Sequence, residues 1–516
     1  MPAPLAPFES SIAERYHEET KYSEDGLRRE HAAGGAIDWT QQPVPFKTYD
    51  GPRILLPTEG LPLVRRGHES AGVVPAPRGS MDLAKLARIL WHTNGCTRIV
   101  SMGGSIHHFR AAPSAGAMYP TEVYVALRGI AEIDDGVYDY QVLDHSLARV
   151  RTADVWDALV AACFAHPSVA RSDTVVLLTA DWQRSAWRYR ERGYRRALLD
   201  TGHVLGNLVE SAPAEGFAAI PITCFRDELV ERLLETDPIV EGPLVVVPLV
   251  PEDAAAEIPP LPLHASPTTE WHRAVEVLGD RVPQSQHRRL AAALHLAGRL
   301  DADAPPVLAP TPLPISVPEG AVAIDTGRDA TVWTAAQPVT ETITERRSTR
   351  TFRAGEMPRE VLFRALAHAV PAEFAAFAAP GLLRTFVVAM HVVGVPPGTY
   401  AWDPVTRRAI ELSRRQYAPA MRHLGLGQEI FTDAAAAVIH TVDLTRAVER
   451  LGDRVYRILG LDSGHIGERL HLALLREGFG VSGCGGYYDD EMNRVLSIPE
   501  SQAVVYITSA GVPAAE

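Results

Sequence analysis

Two stretches decide the fold: YRRALLDTGHVLGNL, residues 194–208, and YRILGLDSGHIGERL, residues 456–470. Tyr-Arg, then Asp, then Gly-His recur at the same spacing, at an offset of 262 (456 − 194). The same offset relates Gly136 to Gly398, Tyr138 to Tyr400, Gly216 to Gly478 and Asp227 to Asp489. One coincidence carries nothing, but several at a single offset argue for a duplicated unit. Two copies are too few for a solenoid, so the duplication predicts a pseudo-dimer within one chain. Leu198, Leu205 and Leu208 in one stretch, and Leu470, Leu474 and Leu475 in the other, return at helical spacing. Gly202 and Gly464 fall in mid-helix, where glycine costs about 1 kcal/mol relative to alanine. That cost, carried in both copies, predicts close helix–helix approach at a pseudo-two-fold axis.

Around these helices, Glu122–Leu127, Thr174–Thr179 and Pro243–Val250 are β-branched runs bounded by turn formers, which read as strands. The fold class is therefore α+β, a sandwich with helices packed on a mixed sheet. Proline marks the boundary between the copies. PEDAAAEIPPLPLHASP (251–267) and PPVLAPTPLPISVPEG (305–320) cannot lie inside helices or central strands. The reading is a first domain at 1–252, a proline-rich linker with a short helical element at 253–320, and a second domain at 321–516.

Composition narrows the function class. The 516 residues exceed one ordinary core. Lys+Arg 50 against Asp+Glu 63 gives a net charge of −13, which disfavours a nucleic-acid partner. Lysine occurs only at Lys21, Lys47 and Lys85, so a single arginine is a weak signal here. Cys96, Cys163, Cys224 and Cys484 stand far apart, without disulfide-framework or zinc spacing. The N-terminal stretch lacks the basic and apolar regions of a signal peptide, and no apolar run reaches membrane-spanning length. A cytoplasmic protein with no membrane partner is expected.

Three segments carry candidate chemistry. Arg346-Arg347-Ser348-Thr349-Arg350 sets guanidiniums and hydroxyls where they can fork onto a phosphate, although a solvated charged turn has the same composition. Pro113-Ser114-Ala115-Gly116-Ala117-Met118-Tyr119-Pro120 is a stiff loop of small residues whose backbone can approach a flat ligand. Ser482-Gly483-Cys484-Gly485-Gly486-Tyr487 is a glycine loop, with Cys484 a candidate reactive thiol near a ligand. The overlapping GxGxxG at 478–483 follows a helix rather than a strand and is not a dinucleotide fingerprint. His107-His108 has no further ligand at metal spacing, so no metal is expected. His203 and His465, repeated on the paired helices, read as structural.

Taken together, RRSTR, PSAGAMYP and the D-x-GH helix followed by a glycine loop resemble the nitroreductase superfamily. More closely, RYHEETKY at Arg15–Tyr22, RAAPSAGAMYP from Arg110 and WRYRERGYRRALLDTGH from Trp187 resemble SagB-type azoline dehydrogenases. The resemblance covers both copies and leaves the linker unexplained. It implies two tandem nitroreductase-like α+β sandwich domains forming an intramolecular pseudo-dimer with FMN between them. It also implies oxidation of thiazolines or oxazolines in a ribosomally made precursor peptide, with a cyclodehydratase complex as further partner. In this superfamily one subunit supplies the arginine arm and glycine loop, and its partner supplies the PSxG-type loop. Here the first copy's arm reads Arg65-Arg66-Gly67-His68-Glu69 and its glycine loop Ile220-Pro221-Ile222-Thr223-Cys224. In the second copy, the place of PSAG holds Ala375-Ala376-Phe377-Ala378. One composite FMN site remains, from Arg346, Arg347, Ser348, Arg350, Gly483, Cys484, Gly485 and Gly486 together with Pro113, Ser114, Ala115, Gly116, Ala117 and Met118. Arg110 reaches either the flavin phosphate or the preceding loop.

Relatives place Lys-Tyr where this chain has Arg188-Tyr189. Arginine stays protonated and cannot serve as a base, so Tyr189 is the candidate, its phenolate favoured by Arg188. Two rival readings are an NAD(P)H-dependent nitro- or quinone reductase on the same fold, and a decayed flavoprotein kept as a peptide-binding scaffold.

Overall fold

The computed structural model describes residues 10–32, 37–62, 80–102, 104–260, 263–282, 288–300, 306–307, 322–325, 338–370 and 381–514. Two sheets of one design emerge. The first runs, edge to edge, Arg53–Leu55, Ser146–Arg151, Gly136–Gln141, Thr121–Leu127, Thr174–Asp181, Glu241–Pro251, Phe217–Ala219. The second runs Ala323–Asp325, Arg408–Arg414, Gly398–Asp403, Leu383–Ala389, Ala436–Val442, Ala503–Pro513, Phe352–Arg353, with Gly480–Cys484 also paired to Ala503–Pro513. Even the register repeats: Val125 faces Tyr138, and Val387 faces Tyr400. The fold is α+β in tandem, but the expected mixed sheet is corrected, because the pairings within both sheets are antiparallel. The connection from Asp181 to Glu241 carries several helices, so the chain re-enters the sheet at the end it left.

The predicted long helices are Gly193–Ser211 and Val455–Arg476, both buried along nearly their whole length. They touch backbone to backbone. A Cβ on Gly202 would lie 2.3 Å from the Leu461 carbonyl oxygen, and one on Gly464 would lie 2.1 Å from that of Leu199. Each glycine also approaches the other: the added Cβ would be 2.8–2.9 Å from the opposite glycine's Cα. One turn away on either side, Leu198 packs on Gly460 and Glu468 on Gly206. Each of these residues meets its own counterpart, so the helices run parallel beside the pseudo-two-fold axis, one of the arrangements an isologous contact allows. The apolar core is continuous across them, joining Val204, Leu205 and Leu208 to Ile466, Leu470 and Leu474.

An ionic clamp is duplicated in the same way. Arg192 and Arg195 reach Asp489 of the other half at 2.8 and 3.0 Å, and their counterparts Arg454 and Arg457 reach Asp227 at 2.5 and 2.6 Å. Burial pushes both carboxyls up, but the paired guanidiniums outweigh it and hold them below the ordinary carboxylate range.

The linker contributes more than a joint. Its helix Arg289–Ala297 packs against Arg190–Arg192 of the first half, as Ile12–Glu19 packs against Leu444–Leu451 of the second. Tyr22 N donates to Asp489 at 2.9 Å, and Leu300 N donates to Asp227 at 2.9 Å. Thr20 O accepts from Arg192 at 2.5 Å, and Gly298 O accepts from Arg454 at 3.0 Å.

Gly464→Ala is expected to lower the thermal midpoint in calorimetry by an amount equivalent to about 1–3 kcal/mol. The new methyl meets a backbone carbonyl that no rotamer change can move. A midpoint equal to the wild type's would show that the helices part without cost.

Candidate functional site

A cavity of about 830 Å³ opens between the halves. Its walls include Pro113–Gly116, Arg188 and Tyr189 from the first half and Ser348, Arg350 and Gly483–Gly486 from the second. The pseudo-dimer therefore brings these separate segments onto one space.

Local chemistry sets each wall. Ser114 Oγ donates to Asp200 Oδ2 at 2.5 Å, and Ala115 N reaches the same carboxylate at 3.1 Å. Tyr119 N closes the turn by donating to Ser114 Oγ at 2.8 Å. Gly116 has φ +63°, and a Cβ there would lie 2.7 Å from the Tyr189 hydroxyl and 3.2 Å from Arg188 Cδ. Any side chain at 116 would displace the Arg188–Tyr189 pair. Across the cavity, Thr349 N donates to Val481 O at 2.9 Å and Val481 N to Thr349 Oγ1 at 3.0 Å, so arm and glycine loop are held together.

Several expected contacts lie elsewhere. Arg110 is buried over the Tyr119 ring at 4.7 Å and donates to the Thr121 carbonyl at 3.5 Å, away from the cavity wall. Arg346 donates to Ala111 O at 2.7 Å, and Arg347 to Thr97 Oγ1 at 3.2 Å. These two fasten the arm to the first half, leaving Ser348 and Arg350 on the wall. Met118 is buried and Ala117 exposed, both outside the lining. Arg65–Glu69 and Ala375–Ala378 lie outside the described residues.

Arg196 and Asp200 on the wall carry no sequence signal of their own, and His203, which reads as structural in the sequence, also lines it. Arg196 lies over Gly485, where a Cβ would collide with its Nη1 at 1.6 Å, and over the Tyr189 ring at 5.1 Å. Its guanidinium is buried, and Nε has no hydrogen-bond partner among the described residues. Asp200 is pushed up to about 7 by burial, against the pull of Ser114, Ala115 N and Arg196. His203 sits between Glu468 (2.6 Å) and the Tyr506 hydroxyl (2.7 Å), with Glu468 pushed up to about 7 by burial. His203, Glu468 and His471 hold ligand atoms within 4.8 Å of one another, a spacing that could take a metal ion, although Arg346 stands 3.8 Å from Glu468. Glu468 and His471 stand three apart on one helix, but His203 lies 265 residues from Glu468, so spacing along the chain does not reveal the trio. The arginines carried no signal in so arginine-rich a chain.

Tyr189 requires a correction. Burial raises its hydroxyl and outweighs the cations of Arg196 and Arg188, so the phenol, not the phenolate, is favoured. Cys484 is buried and its thiol is likewise raised by burial.

The counterpart of the cavity is filled by the chain itself. The offset of 262 carries Leu426, Gly486 and Tyr189 onto Phe164, Cys224 and Leu451. Among these runs the linker: His264 stacks on Phe164 at 4.0 Å, and Cys224 Sγ lies 3.9 Å from His264 O. Ser266 N donates to Leu451 O at 3.0 Å, and Arg454 N to Ser266 Oγ at 2.8 Å.

The nitroreductase family model matches residues 77–249 and again 343–512. A solved structure from Anabaena variabilis, assigned as a nitroreductase, superposes with a TM-score of 0.82 at 34% identity, over 98% of this chain and 100% of that one. A Methanocaldococcus jannaschii protein assigned as a nitroreductase is 30% identical over 33% of this chain and 80% of its own length. The trifolitoxin-processing protein TfxB of Rhizobium leguminosarum bv. trifolii is 34% identical over 34% of this chain. The chain spans about half of that relative, 48% of its length. No helix among the described residues is long and apolar enough to cross a membrane.

Iodoacetamide at pH 8 is expected to leave Cys484 unlabelled in the folded protein and to label it after denaturation, read by peptide mass. Labelling of the native protein would return Cys484 to the list of reactive thiols.

Proposed function

The chain belongs to the nitroreductase family, twice over in tandem, and from that premise we propose that it is an FMN-dependent dehydrogenase of thiazoline or oxazoline rings in a precursor peptide. One FMN per chain, cytoplasmic location and a cyclodehydratase complex as partner complete the reading. The domain division at 1–252, 253–320 and 321–516 is proposed with it. The observation that carries it is the asymmetry of the two counterpart spaces: one is open and walled by complementary halves, the other is filled by Leu263–Pro267. The likeness to a trifolitoxin-processing protein supports a peptide as substrate.

The residues present fit a flavin. At Gly485 even a methyl would strike Arg196, and at Gly483 it would lie 1.8 Å from the Tyr506 hydroxyl, so the wall is shaved to backbone where a flat ring could lie. Arg350 and Ser348 would hold the phosphate, and the Arg196 guanidinium, whose Nε has no partner among the described residues, would donate to a ring oxygen or nitrogen. When bound, FMN supplies at N5 the acceptor for the hydride leaving the azoline, with O₂ as terminal oxidant.

Aromatisation also removes a proton from the ring Cα, which the adjacent C=N and carbonyl acidify. The chain offers two groups to hold it. Tyr189, packed against the Gly116 loop, keeps its own proton near neutrality and must lose it before acting as base. Asp200, at about 7, is partly ionised there and also holds the loop through Ser114 and Ala115 N. We assign Tyr189 to contact with the substrate and Asp200, the group that ionises near neutrality, to taking up the ring proton, while Arg188 orients Tyr189.

Flavin quantitation against protein should return one FMN per chain, and two would overturn the reading. Arg350→Glu and Ser114→Trp should each yield colourless protein. Tyr189→Phe should stay yellow yet lose turnover, measured as the loss of two hydrogens from a thiazoline peptide. The rate should rise with pH through about 7 as Asp200 ionises, and Asp200→Asn should remove that limb. Rapid bleaching by NADPH alone would favour the reductase instead.

A further inference from the structure

The filled counterpart space is a record of what the open one accepts. Beside the open cavity runs a trench of about 340 Å³ between Arg188–Arg192 and Glu19–Leu27. Tyr22, Leu27, Arg188 and Tyr189 border both spaces, so the trench adjoins the cavity. On the other half the same offset turns Arg188–Arg192 into Arg450–Arg454, and over that surface lies Leu263–Thr269, a run without helix.

Its contacts are those of a peptide lying along a wall. Besides the bonds of Ser266, Pro267 O accepts from Asp453 N at 3.2 Å, and Thr269 N donates to Asp453 Oδ2 at 2.7 Å. The wall turns the same corner in both halves: Arg190 has φ +51° and Gly452 φ +70°. At Arg190 that conformation is strained for a residue with a side chain, and the corner is kept all the same. The trench is rimmed by the polar side chains of Glu19, Lys21 and Ser23, which suits hydrated backbone amides better than an acyl chain, while the Glu191 carboxylate is taken by Leu290 N and Ala291 N.

We propose that the trench seats the stretch of peptide flanking the azoline, laid along Arg188–Arg192 on the path that Leu263–Thr269 takes across the counterpart surface. Resting on the peptide reading above, it makes the linker an internal likeness of the substrate. It also explains the trench's length, which a lone quinone or nitroaromatic ring has no use for.

The test compares two thiazoline substrates: a ring capped by acetyl and methylamide, and the same ring with several residues on each side. With the whole chain loaded with FMN, the longer peptide should show a KM at least tenfold lower. Gly26→Trp adds a side chain on the trench wall, where a Cβ meets only the flexible Ser23 Oγ at 2.9 Å. It should erase the length effect, and Glu19→Trp, on the same wall, should do so independently. Equal KM values in the wild type, or a length effect surviving both variants, would overturn the trench. If neither substrate is oxidised, the proposed reaction fails on its own. Fluorescence anisotropy of a fluorescein-labelled long peptide then still decides the trench: binding weakened tenfold by both variants upholds it, and absence of binding overturns it.

Discussion

Everything in this molecule depends on a contact between two glycines. Gly202 and Gly464 let the long helices meet at backbone distance, and a methyl on either would strike a carbonyl of the other helix. That closeness decides what the rest of each helix can reach. One turn before the contact Leu198 lies on Gly460, and one turn after it Glu468 lies on Gly206 and bonds to His203. Towards the N-termini, Arg192 and Arg195 arrive at Asp489 while Arg454 and Arg457 arrive at Asp227. Buried charges are tolerable only when paired, so the clamps in turn hold the helices in register.

The cavity is a by-product of that register. Arg196 and Asp200 lie on the helix that carries Gly202, which sets the guanidinium over Gly485 and the carboxylate under Ser114. Symmetry would create the same space twice. On the other side Ile458 stands in the place of Arg196 and Thr223 in the place of Gly485, so neither cation nor bare wall is offered. A protein interior does not keep large voids, and the linker settles there instead. Fusion supplied the linker, and the linker occupies one of the two spaces.

Much of this was legible in one dimension. Gly202 and Gly464 were read as a close approach because glycine in mid-helix is costly wherever nothing demands it. The glycine loop, the PSAG loop and Ser348 with Arg350 carry the residue types of a binding wall, and they line one cavity. Arg110, Arg346 and Arg347 lie outside that lining, since sequence identifies a guanidinium but not the direction in which it points. Arg346 and Arg347 bond to a carbonyl and a hydroxyl of the first half and tie the halves together, and Arg110 bonds to a carbonyl of its own half. The protonation of Tyr189 was read from its neighbour Arg188, whereas burial, which no neighbour reveals, dominates.

By itself the sequence determined the duplication, the helix pair at its centre and the segments bearing chemistry, because periodicity and repeated spacing are properties of a line of residues. Only the tertiary structure decided the antiparallel sheets, the clamps between Asp489, Asp227 and their arginines, and the linker's place over Phe164 and Leu451. These depend on which distant groups share a volume. Direction, burial and the filling of space are set by packing, and packing is settled only when both halves are folded against each other.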